Sequence, residues 1–276
     1  MATVSENLIA LQNAKVAIKN AITAKGQDLS GVPFTGYASK INAIQGGEAV
    51  RSIKKYLEAG GTFGNQSIED FRHLLEYSDT ENLERLTNFF NRNPKLKYVP
   101  MLDFRKATTT YYMFSQCSGL VDGLPLYDFS NVGDFQGMFV GDFALKVVPA
   151  YDMRSAWSAG DMVNGCTNLE EIWVKNINVV LTVGSGSTYG HLLKVECLIH
   201  LIYELRYNKV TRTLTMGNVN LEKLANVYVR LVEITDEMRA EDDLIDEKMP
   251  FEVCESTDEG ATQIVQYAKF KNWNIA

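Results

Sequence analysis

The sequence predicts an α+β chain in which a short solenoid of repeats lies between a helical N-terminal module and an α/β C-terminal cap. Three observations carry this. Leu96, Leu120, Leu145 and Leu169 recur at intervals of 24, 25 and 24 residues. Each unit places a proline (Pro100, Pro125, Pro149), an aspartate three residues on (Asp103, Asp128, Asp152) and a methionine 13 after the proline (Met113, Met138, Met162). Ahead of the units apolar residues fall at helical spacing, and behind them helical and strand patterns alternate. A period of this length marks units that bury a face only by stacking on their neighbours.

Residues 5–25 read as a helix, with Ser5 as cap, Leu8, Leu11, Ala14, Ile18 and Ile22 on one side, and Gly26 as terminator. A turn through Gly31–Pro33 leads to a second, short helix presenting Tyr37, Ile41 and Ile44. Residues 1–47 form the N-terminal module. Val4, Leu8, Leu11, Ile18 and Ile22 approximate a heptad stripe interrupted by Lys15, and a lone helix of this length is marginal in water. Leu8, Leu11, Ile18 and Ile22 are therefore expected to assemble with other chains, which makes the protein a homo-oligomer or a docked component. Residues 48–93 are expected to be helices over 48–59, from Ser67 and from Thr80, capping the first repeat.

Residues 94–192 hold the units. Leu96–Val99 and its counterparts read as short strands, and Met113, Phe114, Met138, Phe139, Met162 and Val163 as inward-facing. The aspartates after the prolines are expected to accept local backbone N–H bonds; a row of calcium ions on them is the alternative. Cys117 and Cys166 share one position, two units apart at roughly 10 Å, beyond the reach of a disulfide, so reduced core thiols are expected. Residues 193–276 make the cap: a helix over 195–205, a strand over 211–216, a helix capped by Asn220 and a final helix over 259–271. Residues 228–258 are an insertion whose run from Glu233 to Glu247 carries eight carboxylates and reads as solvated and partly mobile.

The 276 residues carry a formal charge of −7, with 46% hydrophobic and 22% charged residues, which speaks for a globular chain and against nucleic acid as a partner. There is no secretory pattern at the start and no apolar run long enough to insert in a membrane. Gly184, Gly186 and Gly190 are misplaced for a dinucleotide loop, and His73, His191 and His200 lack partners at ligand spacing. The expectation is no cofactor, no metal site, no catalytic residue and no enzymatic activity. Tyr98, Tyr127, Tyr151 and Trp157, in or near the repeats, are the candidate binding surface, suited to protein or glycan contacts.

The phrases "PLYDFSNV" and "GMF", with the Leu-x-x-x-Pro and Met-Phe-x-x-Cys-x-x-Leu spacing, resemble the BspA-like class of leucine-rich repeats over residues 94–218. The segment "KVECLIHLIYEL" and the closing "AKFKNWNIA" resemble the C-terminal cap of phage-borne members, and "NLIALQNAKVAIKNAITAKG" a module of phage tail and fibre proteins. The resemblance implies a leucine-rich-repeat fold in a bacteriophage virion structural protein, whether tail, fibre or capsid-associated. Its partners would be other virion proteins and a host-surface protein or glycan, and its location the virion. The alternative is a bacterial or prophage-encoded cell-surface module binding protein or glycan, and a weaker third a glycan-degrading enzyme.

Overall fold

A computed structural model of the chain describes residues 53–184 and 189–276. The expected N-terminal helices, with Leu8, Leu11, Ile18 and Ile22, lie outside the described residues. The chain divides into two compact units, residues 1–59 and 60–276. In the first, residues 53–58 are helical and Leu57 is buried.

The second unit is mixed α+β with small sheets, among the described residues, none of them curled and none repeated along the chain. β1 (Val147–Val148) pairs in parallel with β2 (Glu171–Ile172). β3 (Leu181–Thr182), β4 (Arg212–Thr215) and β8 (Trp273–Ile275) form a parallel sheet in the order β3-β4-β8. β5 (Tyr228–Leu231) lies between β6 (Phe251–Cys254) and β7 (Thr262–Gln263), antiparallel to both. The leucine-rich-repeat solenoid expected from the sequence is thus corrected: no strand recurs in each unit, and no continuous sheet bends around the core.

The 24- and 25-residue period builds something else, a series of irregular turns held in register by single bridges and individual backbone bonds. Parallel bridges join Arg85 to Thr109, Thr109 to Asp134 and Asp134 to Ser158. Arg92 N–H donates to Ser115 C=O (2.8 Å), Gln116 N–H to Val140 C=O (2.8 Å) and Gly141 N–H to Asn164 C=O (2.9 Å). The interior repeats with them. Phe90, Phe114 and Phe139 stack nearly parallel, with centroids 5.3 and 5.7 Å apart. Met113, Met138 and Met162 are fully buried, as expected.

Residues 61–93 join the same series instead of forming helices. Apolar Phe71, Leu75, Leu86, Phe89 and Phe90 are buried, but Phe71, Leu86 and Phe90 send their N–H groups forward along the chain. Phe71 N–H donates to Tyr98 C=O, and Phe90 N–H to Met113 C=O. Only Tyr77–Asp79 forms a 3₁₀ turn within this stretch. Bonds to the next turn satisfy the same N–H groups a helix would, and they also bury the phenylalanines.

The C-terminal part adds α1 (Val195–Tyr203), α2 (Asn218–Leu224) and α5 (Ile264–Phe270). Asn220 is not the cap of α2 but lies inside it, donating to Gly190 and Met216 carbonyls. The acidic insertion is folded between β5 and β6, as α3 (Asp236–Glu241) and α4 (Ile245–Lys248). Lys248, almost fully buried, bonds Glu204 at 2.8 Å and Asp242 at 2.5 Å. Lys271, also buried, donates to the Ile202 and Tyr203 carbonyls at the end of α1 and is pulled down to about 7 by burial.

Two substitutions test this packing. Met138→Asp, at a site with no exposure, should destabilise the chain by about 4 kcal/mol, since a carboxylate there has no partner. Unchanged denaturant midpoints would refute the inward placement of the methionines. Lys248→Ala should lower stability by roughly 3–5 kcal/mol, because it strands the buried Glu204 carboxylate. Lys248→Ala combined with Glu204→Gln should recover part of that loss in the same denaturation series.

Candidate functional site

Of the four aromatic residues expected on a binding surface, two are not on the surface. Tyr127 and Tyr151 are buried, 2% and 0% exposed. Their hydroxyls donate to the Pro100 carbonyl (2.9 Å) and the Pro125 carbonyl (3.0 Å), each in the preceding unit. A proline carbonyl at the end of one unit and a tyrosine two residues after the next proline form one repeated bond. The Pro-Leu-Tyr-Asp phrase therefore reports core construction. Tyr98 and Trp157 are exposed, 46% and 71%. Arg72 lies over the Tyr98 ring, 4.1 Å from its centroid, and also pairs with Asp70. Trp157 lies at a different position of the turn, so the structure does not bring the four together.

The aspartates after the prolines act as expected from their local chemistry. Asp103, Asp128 and Asp152 each accept the backbone N–H two residues on, from Arg105, Ser130 and Arg154. Arg105 and Arg154 also pair with their aspartates through the side chain. Among the described residues no group of three or more His, Cys, Asp or Glu could hold a metal.

A cleft that the sequence did not announce runs over four successive turns. Its first cavity, about 360 Å³, is lined by Thr62, Gly64, Asn65, Asn88, Asn91 and Arg92. Its second, about 500 Å³, is lined by Arg92, Pro94, Gln116, Ser118, Val140 and Phe143, with Gly141. Arg92 belongs to both. Local geometry explains the ridge: Arg92, Gln116, Gly141 and Gly165 occupy one position in successive units and all have positive φ, from 57° to 81°. That conformation turns the N–H groups of Arg92, Gln116 and Gly141 toward the next unit. It is strained for the arginine and glutamine, by about 1–3 kcal/mol each. Asn91 Nδ2 donates to Asn88 Oδ1 (2.7 Å), and Asn91 Oδ1 is buried with no partner. Phe143 is 56% exposed. The first cavity thus offers amides, the second an apolar wall, and a guanidinium separates them.

Beneath the cleft lies a buried polar column. Asn93, Cys117, Asp142 and Cys166 are equivalent positions, all with no exposure. The thiols are reduced, as expected, and donate to the Phe90 and Phe139 carbonyls. Asp142 Oδ1 accepts the Cys117 N–H at 2.6 Å, while Oδ2 is unpartnered. Burial holds the Asp142 carboxyl well above the usual carboxylate range. The repeat of cysteines at 117 and 166 is visible in the sequence; the acid at 142 between them shares no side-chain chemistry with them and gives no such signal.

No family model matches the chain, and neither a curated protein nor a solved structure matches it. The expected membership of the BspA-like repeats, and with it the virion, tail-fibre and cell-surface functions it implied, is accordingly set aside: neither the sheets nor any relative supports it.

Asp142 generates a pH test. Its proton is retained in the folded chain at pH values where the unfolded chain has lost it. Stability contributed by this group therefore falls as pH rises from about 4 toward its raised folded value, and levels off above that. Asp142→Asn should remove this slope and be more stable than the parent at pH 7, by about 1–3 kcal/mol. Denaturation of both proteins across pH 4–9 measures it; parallel curves for the two would refute the buried, protonated carboxyl.

Proposed function

We propose that this chain is a non-catalytic recognition protein that holds an extended segment of a partner protein in the cleft centred on Arg92. The observation that carries this is the junction of an amide-lined cavity with an apolar one at a single exposed guanidinium. Side-chain amides at Asn65, Asn91 and Gln116 offer both donors and acceptors to a peptide backbone. The pocket with Val140 and Phe143 takes an apolar side chain, and Arg92 selects a carboxylate beside it. The homo-oligomer expected from Leu8, Leu11, Ile18 and Ile22 is a separate part of the proposal.

Selection from a displayed library of random peptides tests the cleft. The parent should enrich sequences with an acidic residue next to a large apolar one. Arg92→Glu should weaken their binding roughly tenfold or more, and Phe143→Ser should act similarly, both with unchanged melting. Peptides bound equally by all three proteins would rule out the cleft. Sedimentation of the full chain tests the oligomer, and a monomer at every concentration would remove it.

A further inference from the structure

A second surface, on a different edge of the turns, has an unusual aromatic residue. Trp157 is among the most exposed large apolar residues of the described chain, at 71%. It is not a loose side chain. Its Nε1 and Cδ1 stand 2.2 and 2.5 Å from where a β-carbon of residue 133 would be, and residue 133 is a buried glycine. The register is fixed on both sides. Trp157 and Ser158 N–H groups both donate to the Gly133 carbonyl, and Gly133 N–H donates to the Thr108 carbonyl. The indole is therefore pinned along one edge by backbone while most of its area faces solvent. On the same turn Gly137 makes room for Tyr112, whose ring carbons stand 2.8 Å from where a β-carbon would be.

The neighbours in register are polar. Below Gly133 in the same position come exposed Thr108 and Glu84. The flanking position is held by Asn82, Lys106, Asn131 and Ser155, all exposed. Lys106 donates to Asn82 Oδ1, Asn131 to the Arg105 carbonyl and Ser155 to the Ser130 carbonyl, so this edge is ordered by bonds from one turn to the next. A protein interface of ordinary size buries about 800 Å² per partner around several apolar anchors. Here one ring stands among hydroxyls, amides and a carboxylate.

We infer that Trp157 is the platform of a carbohydrate site, which takes the C–H face of a neutral pyranose on the indole and the sugar hydroxyls on Thr108, Glu84 and Asn131. The face of an indole is electronegative and the axial C–H bonds of a sugar are weakly positive, so the two attract as they shed water. The rim of a pyranose needs donors and acceptors in alternation, which a hydroxyl, a carboxylate and an amide supply. Because Gly133 holds the ring edge in advance, little side-chain freedom is lost on binding. This site is independent of the cleft at Arg92, and either can fail alone.

The test uses the full chain and a panel of neutral oligosaccharides, namely gluco-, galacto- and manno-oligosaccharides and oligomers of N-acetylglucosamine. Binding is read by tryptophan emission and by saturation transfer from the protein to sugar protons. At least one panel member should bind and shift the emission. Trp157→Ala should weaken it roughly tenfold or more, and Trp157→Phe should restore part of the binding. The two other tryptophans are Trp273, which is buried, and Trp173, which is part-exposed, so loss of the emission change in Trp157→Phe with sugar signals retained is what assigns the response to Trp157. Gly133→Ala, which displaces the indole, should weaken binding as well. Melting curves and circular dichroism check that each variant is folded, and Trp157→Ala and Trp157→Phe lie at an exposed position, so they test the site whatever happens to Gly133→Ala. The inference is overturned if no panel member binds, if Trp157→Ala binds as the parent does, or if only peptides engage Trp157.

Discussion

The structure depends on where its turns send their backbone N–H groups. A circuit of 24 or 25 residues contains almost no regular strand or helix, so its donors have no partner within the circuit beyond short i to i+3 turns. They are satisfied by carbonyls of the adjoining circuits: of the next one, from Asn88 to Tyr111, Tyr112 to Gln136 and Gly137 to Gly160, and four residues later from Arg92 to Ser115, Gln116 to Val140 and Gly141 to Asn164; and of the preceding one, from Thr108 to Glu84, Gly133 to Thr108 and Trp157 to Gly133. Buried amides must be paired, and here pairing means keeping register with a neighbour. The positive φ values at Asn88, Tyr112 and Gly137, and at Arg92, Gln116 and Gly141, are the local means. Each turns an N–H out of its own circuit.

Register once fixed by the backbone determines what the side chains meet. Residues at one position in successive circuits lie over one another, so an interior position repeats with like chemistry. The Phe90, Phe114 and Phe139 column illustrates this, and so does the near-parallel pair of Phe104 and Phe129. The Asn93, Cys117, Asp142 and Cys166 column is the polar counterpart. Its members all bond backbone, through an amide, a thiol or a carboxyl oxygen. An acid is the costly member, and its retained proton reduces the cost because a neutral carboxyl is far easier to bury than a charged one.

Much of the interior was legible in the sequence. The leucine, methionine and phenylalanine positions, the local bonds of the aspartates and the reduced state of Cys117 and Cys166 follow from period and spacing. Residues 61–93 were misread because Phe71, Leu74 and Leu75, and then Leu83, Leu86 and Phe89, carry helical spacing. Apolar spacing does not record whether an N–H bonds backward or to the next circuit. Tyr127 and Tyr151 were misread because a tyrosine's burial depends on a carbonyl 26 or 27 residues away. The carboxylates of Glu233–Glu247 are mostly exposed, as their charge suggests; what charge does not register is that the segment folds as two short helices, tied down by the buried Lys248 between Asp242 and Glu204. The candidate cleft was invisible for a related reason. Arg92, Gln116 and Gly141 have no chemical likeness, and only their common φ makes them one ridge.

The same register explains where a surface becomes distinctive. An outward side chain rests on the residue at its own position in the adjoining circuit, so a large ring is held firmly only where that neighbour is small. Trp157 leans into Gly133, and Tyr112 into Gly137. A side chain at 133 would displace the indole, and one at 137 would additionally strain a backbone at φ 62°. The pattern that keeps the interior uniform thus leaves the outside free to vary in pairs, one large residue with one glycine in a neighbouring circuit. Departures from the repeat, such as the tryptophan at 157 or the phenylalanine at 143 among shorter equivalents, carry surface information that the repeated leucines do not. In a stack of this kind the core is written by what recurs, and recognition by what breaks the recurrence.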